Sequence, residues 1–143
     1  MSSLSRILAL DIGEVRVGLA LSDMARQQAS PLQVLDTIQL CANNKALKTV
    51  IEDYEVDTLV IGLPLLADGS EGSQARRTRN LTAKILVDLD VLRIIFFDER
   101  QSSKIAKDSG HSLGISEKDM RGKLDSHAAA AFLQAYLDTI DDC

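Results

Sequence analysis

The sequence contains few of the residues on which thiolate-metal, disulfide-stabilised and membrane-spanning proteins depend. Its 143 residues include two cysteines, no tryptophan and 3% aromatic residues, so an aliphatic core is expected. Cys41 and Cys143 belong to no recognisable pattern, which argues against a zinc site or a disulfide framework. No apolar run approaches the length of a membrane span, and no basic start followed by a long apolar stretch indicates a signal peptide. We therefore expect a cytoplasmic protein without membrane association.

The charge balance is acidic, with a formal net charge of −5 from 21 acidic and 16 basic residues. Nucleic-acid-binding domains are usually basic, so this balance argues against a generic nucleic-acid binder. The basic residues are unevenly distributed, however, with a cluster at Arg76, Arg77 and Arg79. A local basic face on an acidic protein is one interpretation, and a solvated helix face is the other.

Hydrophobic patterning predicts a single mixed α/β domain over residues 1–143, since no repeat or linker divides the chain. Apolar or alternating runs predict strands over 6–11, 15–21, 31–38, 58–63 and 91–97. Amphipathic patterns predict helices over 41–54, 71–88, 101–109 and 125–138, with a mobile loop or short helix over 110–123. The short link between the first two strands favours an antiparallel hairpin, and the later alternation of strands and helices favours parallel pairing.

Three acidic residues stand at the ends of these apolar elements. Asp11 ends the first strand, Glu99 follows the strand over 91–97, and Asp125 opens the last helix. Carboxylates at such positions are costly to bury unless they are paired or bound to a metal ion. Oxygen ligands suit Mg²⁺ or Mn²⁺, and two such ions about 4 Å apart can activate water and stabilise the leaving oxygen of a phosphodiester.

Each of the three acids also has a purely structural interpretation. Asp11 is equally compatible with a turn residue that accepts backbone N–H bonds. Glu99 and its neighbour Asp98 could both face solvent with Arg100 as their partner, and the alternation along a strand lets only one of them point into a site. Asp125 lies on the apolar stripe of its helix, but it could instead be the N-cap.

Four blocks of the sequence, in this order and spacing, resemble one family. They are residues 8–23 (LALDIGEVRVGLALSD), 60–64 (VIGLP) with 68–72 (DGSEG), 98–103 (DERQSS) and 123–130 (KLDSHAAA). The pattern resembles the YqgF/RuvX family, whose members are described as Holliday junction resolvases and as pre-16S rRNA nucleases. The sequence departs from the family pattern at Ile12, where proline is frequent, and at Ser103, where threonine is frequent.

The resemblance implies an RNase H-like fold: a mixed five-stranded sheet with an antiparallel start, a parallel remainder and helices on both faces. It implies a metal-dependent phosphodiesterase in which Asp11, Glu99 and Asp125 are the catalytic and metal-binding acids and two Mg²⁺ or Mn²⁺ ions are the cofactor. The turn at Gly13 and the loop from Gly62 to Gly72 would then line a nucleic-acid groove. The side chains expected to contact the nucleic acid are those of Arg16, Arg76, Arg77, Arg100, Ser103 and Lys123.

These observations predict a nuclease for structured nucleic acid, in 5′-end processing of pre-16S rRNA or in resolution of branched DNA. Phosphate contacts carry little sequence information, so both RNA and DNA substrates stay open, as do a monomer and a homodimer. One alternative is a nucleic-acid-binding module of the same fold without efficient catalysis. Another is a nucleotide-hydrolysing domain, because Asp11-x-Gly13 before a hairpin also resembles the phosphate-binding turn of actin-like ATPases. Those proteins use two such domains, whereas this chain has room for one.

Overall fold

The computed structural model describes residues 5–89, 93–99 and 117–141, and in the last segment it describes the side chains of 126–140. Over these residues the strands are β1 (Arg6–Ile12), β2 (Arg16–Ser22), β3 (Ala29–Asp36), β4 (Val56–Leu63) and β5 (Arg93–Asp98). The helices are α1 (Thr37–Ala42), α2 (Lys45–Asp53), α3 (Ser73–Ile85) and α4 (Glu117–Asp141).

The five strands form one mixed sheet in the order β3-β2-β1-β4-β5. The hairpin strands β1, β2 and β3 pair antiparallel, whereas β4 pairs parallel with both β1 and β5. The β1–β2 turn is closed by the Gly13 N–H, which donates to the Arg16 carbonyl at 2.9 Å. The predicted mixed sheet with an antiparallel start and a parallel remainder is therefore confirmed.

Helices cover both faces of the sheet, as predicted. Successive side chains of a strand point to opposite faces, so Leu8 and Leu10 of β1 join a core with α1, α2 and α3. Ile7 and Ala9 point the other way, into a second core around Phe132 and its neighbours on α4. A residue of β1 with an odd number therefore faces α4, and this alternation decides where the candidate acids point.

The helix predicted over 41–54 is instead two helices, α1 and α2, with a break at Asn43 and Asn44. The Asn44 side-chain amide donates to the carbonyl of Ile85, the last residue of α3, at 2.8 Å and to that of Val87 beyond it at 2.7 Å. This long-range contact holds the break in place, and local helical periodicity carries no information about it.

The last helix begins at Glu117, eight residues before Asp125, so the prediction that Asp125 opens this helix is wrong. The N-cap interpretation of Asp125 is excluded for the same reason. The sequence over 117–124 contains mostly good helix formers, and Gly122 lowers helix propensity by about 1 kcal/mol without ending the helix. The helix predicted over 101–109 lies outside the described residues. Neither α4 nor any other described helix combines the length and the apolar character needed to cross a bilayer.

Candidate active site

Asp11 lies inside β1 at the end of the sheet where the parallel strands β1, β4 and β5 terminate. It pairs with Gly18 of β2, and β1 continues one residue further to Ile12. Asp11 has the same parity as Ile7 and Ala9, so it belongs to the face covered by α4. The hairpin turn begins after it, so the interpretation of Asp11 as a turn residue is not supported.

Asp98 and Glu99 point to opposite faces of the sheet. Phe96 packs on the side of α1, α2 and α3, whereas Phe97 packs on the side of α4. Continuing the alternation places Asp98 with Phe96 and Glu99 with Phe97. The Glu99 N–H still donates to the Leu63 carbonyl, at 3.3 Å, which keeps Glu99 in register with β4. Glu99 is therefore the acid on the same face as Asp11.

The Glu99 carboxylate lies directly over Gly62 of β4, the strand between β1 and β5. A Cβ atom at Gly62 would stand 2.8 Å from Glu99 Oε2 and 2.6 Å from Phe132 Cε2. Leu10 pairs with Ile61, so Asp11 lies beside Gly62 on the neighbouring strand. Adjacent strands are about 4.8 Å apart, so Asp11 on β1 stands about one strand spacing from the place above Gly62 that the Glu99 carboxylate occupies.

The hydrophobic pattern placed Gly62 in the strand predicted over 58–63, which is confirmed, whereas the resemblance placed it at the start of a loop lining a groove. Gly62 is buried inside β4, and its missing side chain leaves the space that Glu99 and Phe132 occupy. A glycine within an apolar strand often marks a close approach of another group, and that signal could have identified it.

Burial raises the pKa of the Glu99 carboxyl above its ordinary value, and the negative charge of Asp98 raises it further. Glu99 is partly buried rather than solvent-facing, so the interpretation of Asp98 and Glu99 as two exposed loop acids is wrong. A carboxylate in this setting is stabilised by any cation that reaches it.

An open cleft of ≈ 440 Å³ reaches Glu99 from the outside. Gly13 and Glu14 of the β1–β2 turn form one wall, and Gln74 and Arg77 of α3 line the cleft opposite. Gly13 has no room for a side chain, because a Cβ there would stand 2.9 Å from the Arg16 carbonyl oxygen. The cleft thus gives a polar ligand access to the Glu99 carboxylate.

Two of the predicted nucleic-acid contacts, Gly13 and Arg77, line this cleft. Arg16 and Arg76 are exposed, but neither is among the described residues that form the cleft wall. Of the remaining predicted contacts, Arg100 and Ser103 lie outside the described residues, and the side chain of Lys123 lies outside the described side chains.

Position 125 lies in α4, four and seven residues before Ala129 and Phe132, which pack on the sheet. Helical periodicity places the three positions on one face of α4. The Asp125 side chain is outside the described set, and within that set no three acidic, histidine or cysteine side chains form a metal-binding group. The structure therefore places Asp11 and Glu99 on the same face of the sheet, and position 125 on the face of α4 that packs against that side.

A mixed five-stranded sheet in the order β3-β2-β1-β4-β5 with helices on both faces is an RNase H-like fold. The chain is similar in structure to Thermus thermophilus RuvC in complex with Holliday junction substrate, with a TM-score of 0.60 and 14% identity over 95% of this chain and 96% of RuvC. It is also similar to the Fowlpox virus resolvase in complex with Holliday junction DNA, with a TM-score of 0.54 and 13% identity over 94% of this chain and 98% of the resolvase. At these identities the likeness shows the fold alone.

The sequence itself identifies the family. The model of the RuvX family, described as Holliday junction resolvase, matches residues 5–139, and the chain belongs to this family. A protein of Anaeromyxobacter sp. (strain Fw109-5) named "Putative pre-16S rRNA nuclease" is 39% identical over 93% of this chain and 96% of its own length. A protein of the same name from Roseiflexus sp. (strain RS-1) is 37% identical over 94% of both chains.

Proposed function

We propose that this protein is a metal-dependent nuclease that hydrolyses phosphodiester bonds in structured nucleic acid. The observation that carries the proposal is that Asp11 and Glu99 lie on one face of the sheet, on either side of Gly62, and that Glu99 lines an open cleft. Membership of the RuvX family and the nuclease name of the relatives support it.

The donor set fits Mg²⁺ or Mn²⁺. Asp11 and Glu99 offer only carboxylate oxygens, which hard divalent cations prefer, and neither cysteine nor histidine is needed. Asp11, Glu99 and Asp125 would hold the metal, and their three negative charges would offset most of the four positive charges of two ions. Metal bound there supplies an activated water and neutralises charge that develops on the phosphate.

The chain's own residues would position the substrate and the acids. Because Gly62 has no side chain, the Glu99 carboxylate and the Phe132 ring can both lie against the backbone of β4 at this residue. Arg77 lines the cleft that leads to Glu99, where its guanidinium can bind a phosphate oxygen of the backbone. The exposed Arg16 and Arg76, together with Arg100, Ser103 and Lys123, are proposed to extend this contact.

We propose 5′-end processing of pre-16S rRNA, in the cytoplasm, as the reaction, and resolution of branched DNA as the second candidate. The names of the relatives favour the first, and the RuvX description favours the second. A resolvase that cuts symmetrically needs a two-fold dimer, whereas a ribosomal RNA nuclease can act as a monomer. The oligomeric state during cleavage therefore helps to distinguish the two reactions.

The test is cleavage of a pre-16S rRNA fragment and of a four-way DNA junction by the purified protein with Mn²⁺. We expect Asp11→Asn and Asp125→Asn to abolish cleavage, a loss of at least about 100-fold, while the thermal unfolding transition is retained. Asp98→Asn is the matched control, because Asp98 is adjacent to Glu99 but faces the opposite side of the sheet, and it should retain most of the activity.

Undiminished cleavage by both Asp11→Asn and Asp125→Asn would refute the assignment of the acids. Binding without cleavage by the wild-type protein, with neither Mn²⁺ nor Mg²⁺ taken up in calorimetry, would instead establish a binding module.

A further inference from the structure

We propose that Glu14 competes with phosphate for Arg77: it pairs with Arg77 in the absence of substrate and is displaced when a phosphate group seated in the cleft binds that guanidinium. The inference rests on the proposed function, since it concerns how the same cleft binds its ligand. The proposal gives a role to Glu14, an acidic residue in a cleft that is proposed to bind nucleic acid.

The observation is an ion pair across the cleft. Arg77 Nη1 of α3 donates to Glu14 Oε1 of the β1–β2 turn. Both residues line the cleft that reaches Glu99, and their side chains are 54% and 61% exposed. The pair therefore lies where solvent and an entering ligand can reach it.

The turn that carries Glu14 is held on both sides of this residue. The Thr37 N–H donates to the Val15 carbonyl at 3.0 Å, and Thr37 Oγ1 donates to the Gly13 carbonyl at 2.8 Å. Thr37 is only 1% exposed, so it connects the turn to the core. The Gly13 N–H also donates a hydrogen bond to the Arg16 carbonyl. Glu14 is thus presented to Arg77 from a backbone fixed by hydrogen bonds at the residues before and after it.

A phosphate that accepts from Arg77 Nη1 at the position of Glu14 Oε1 must displace Glu14. Exposed ion pairs are weak, so the displacement lowers affinity by only about 1.4- to 5-fold. A phosphate that gains further contacts within the cleft overcomes this loss, whereas a phosphate that contacts Arg77 alone does not. Glu14 therefore lowers the affinity of every ligand that needs this donor of Arg77 by the same factor, and at a given concentration only ligands with further contacts stay bound.

The test measures the affinity for a fluorescent four-way DNA junction and a pre-16S rRNA fragment, in EDTA to prevent cleavage and over a range of salt concentrations. We expect Glu14→Gln to bind both about two- to five-fold more tightly. The slope of log K against log salt should become steeper by up to about 0.9, because Arg77 no longer has a protein counterion. The gain should disappear in an Arg77→Gln background, because Glu14 acts through Arg77.

Glu71→Gln is the matched control. Glu71 precedes α3 and accepts two hydrogen bonds, at 2.7 and 2.8 Å, from Arg79 of α3, the helix that also carries Arg77. Neither Glu71 nor Arg79 is among the described residues that line the cleft. Glu71→Gln removes the same charge and breaks another Glu–Arg pair whose arginine is on α3. A gain in affinity as large as that of Glu14→Gln would therefore overturn the proposal. So would a gain for Glu14→Gln that persists in the Arg77→Gln background, since it would show a general effect of charge.

A second measurement separates this proposal from the proposed function. Inorganic pyrophosphate is titrated into the wild-type protein and the Glu14→Gln variant, and the Arg77 Nε–H resonance is followed by NMR. Tighter pyrophosphate binding by the variant supports competition between Glu14 and phosphate, even if neither nucleic acid binds and the nuclease proposal fails. Equal binding of pyrophosphate by the two proteins would refute the competition.

Discussion

Substitution of Gly62 by alanine tests the close packing on which the candidate site depends. The added Cβ would stand 2.6 and 2.9 Å from Phe132 Cε2 and Cζ and 2.8 Å from Glu99 Oε2, well inside the optimal separation of about 3.5–4.0 Å. Overpacking of this kind costs about 1–3 kcal/mol, offset by about 0.4–1 kcal/mol from the reduced freedom of the unfolded chain. We expect a net loss of about 1–2 kcal/mol, or roughly 3–7 °C in the melting temperature of a chain of this length.

The substitution should impair cleavage more than stability. The Glu99 carboxylate has to move away from the new methyl group, and a displacement of about 1 Å in a catalytic group can cost on the order of 100-fold in rate. Thermal unfolding and single-turnover cleavage measure the two effects. Gly72→Ala is the control, because a Cβ there would meet only Leu66, at 3.0–3.1 Å, and this side chain is 52% exposed and free to rotate.

If Gly62→Ala were as stable and as active as Gly72→Ala, the close packing of Glu99 and Phe132 over Gly62 would be contradicted. A second comparison isolates the contact with Phe132. In the Phe132→Leu background, Gly62→Ala should cost less than it does in the wild-type protein, since the ring atoms that the new methyl meets are gone. Strict additivity of the two substitutions would contradict the proposed overlap.

Two further predictions concern acids with shifted pKa values. Burial and Asp98 raise the pKa of Glu99, so in the absence of metal its ionisation reduces stability as the pH rises through the folded-state pKa. Glu99→Gln should therefore raise stability at pH 7 in EDTA by about 0.5–2 kcal/mol while it abolishes cleavage, and a variant less stable than wild type would contradict this. Burial acts to raise the pKa of Asp57, but hydrogen bonds from Ser5 and Thr58 and the charge of Arg26 outweigh it and lower the pKa. This contribution is complete above the ordinary pKa of Asp57 and is lost as the pH falls through the lowered one. In urea titrations Asp57→Asn should cost about 1–3 kcal/mol at pH 7, a deficit that shrinks towards pH 3, and a deficit independent of pH would refute it.

Much of the fold could be predicted from the sequence because its strands are buried and its helices are amphipathic. All five predicted strands were found, and the predicted pairing directions were confirmed. The predictions failed where long-range contacts decide the local structure. Asn43 follows α1 and Asn44 precedes α2, and the Asn44 side chain binds carbonyls at and just beyond the end of α3, a contact that helical periodicity does not predict. The early start of α4 at Glu117 was missed because Gly122 and mixed charges in this segment are also typical of loops.

The sequence by itself determined which acids stand at the ends of apolar elements and that only one of Asp98 and Glu99 can face a given side of the sheet. It did not determine which one shares a face with Asp11, because that choice depends on the register of β5 on β4 and on the side covered by α4. The tertiary structure placed the Glu99 carboxylate over Gly62 and brought Arg77 to Glu14, two contacts between segments 37 and 63 residues apart in sequence. Such contacts leave no local signal, because they arise only when separate strands and helices meet at one end of the sheet.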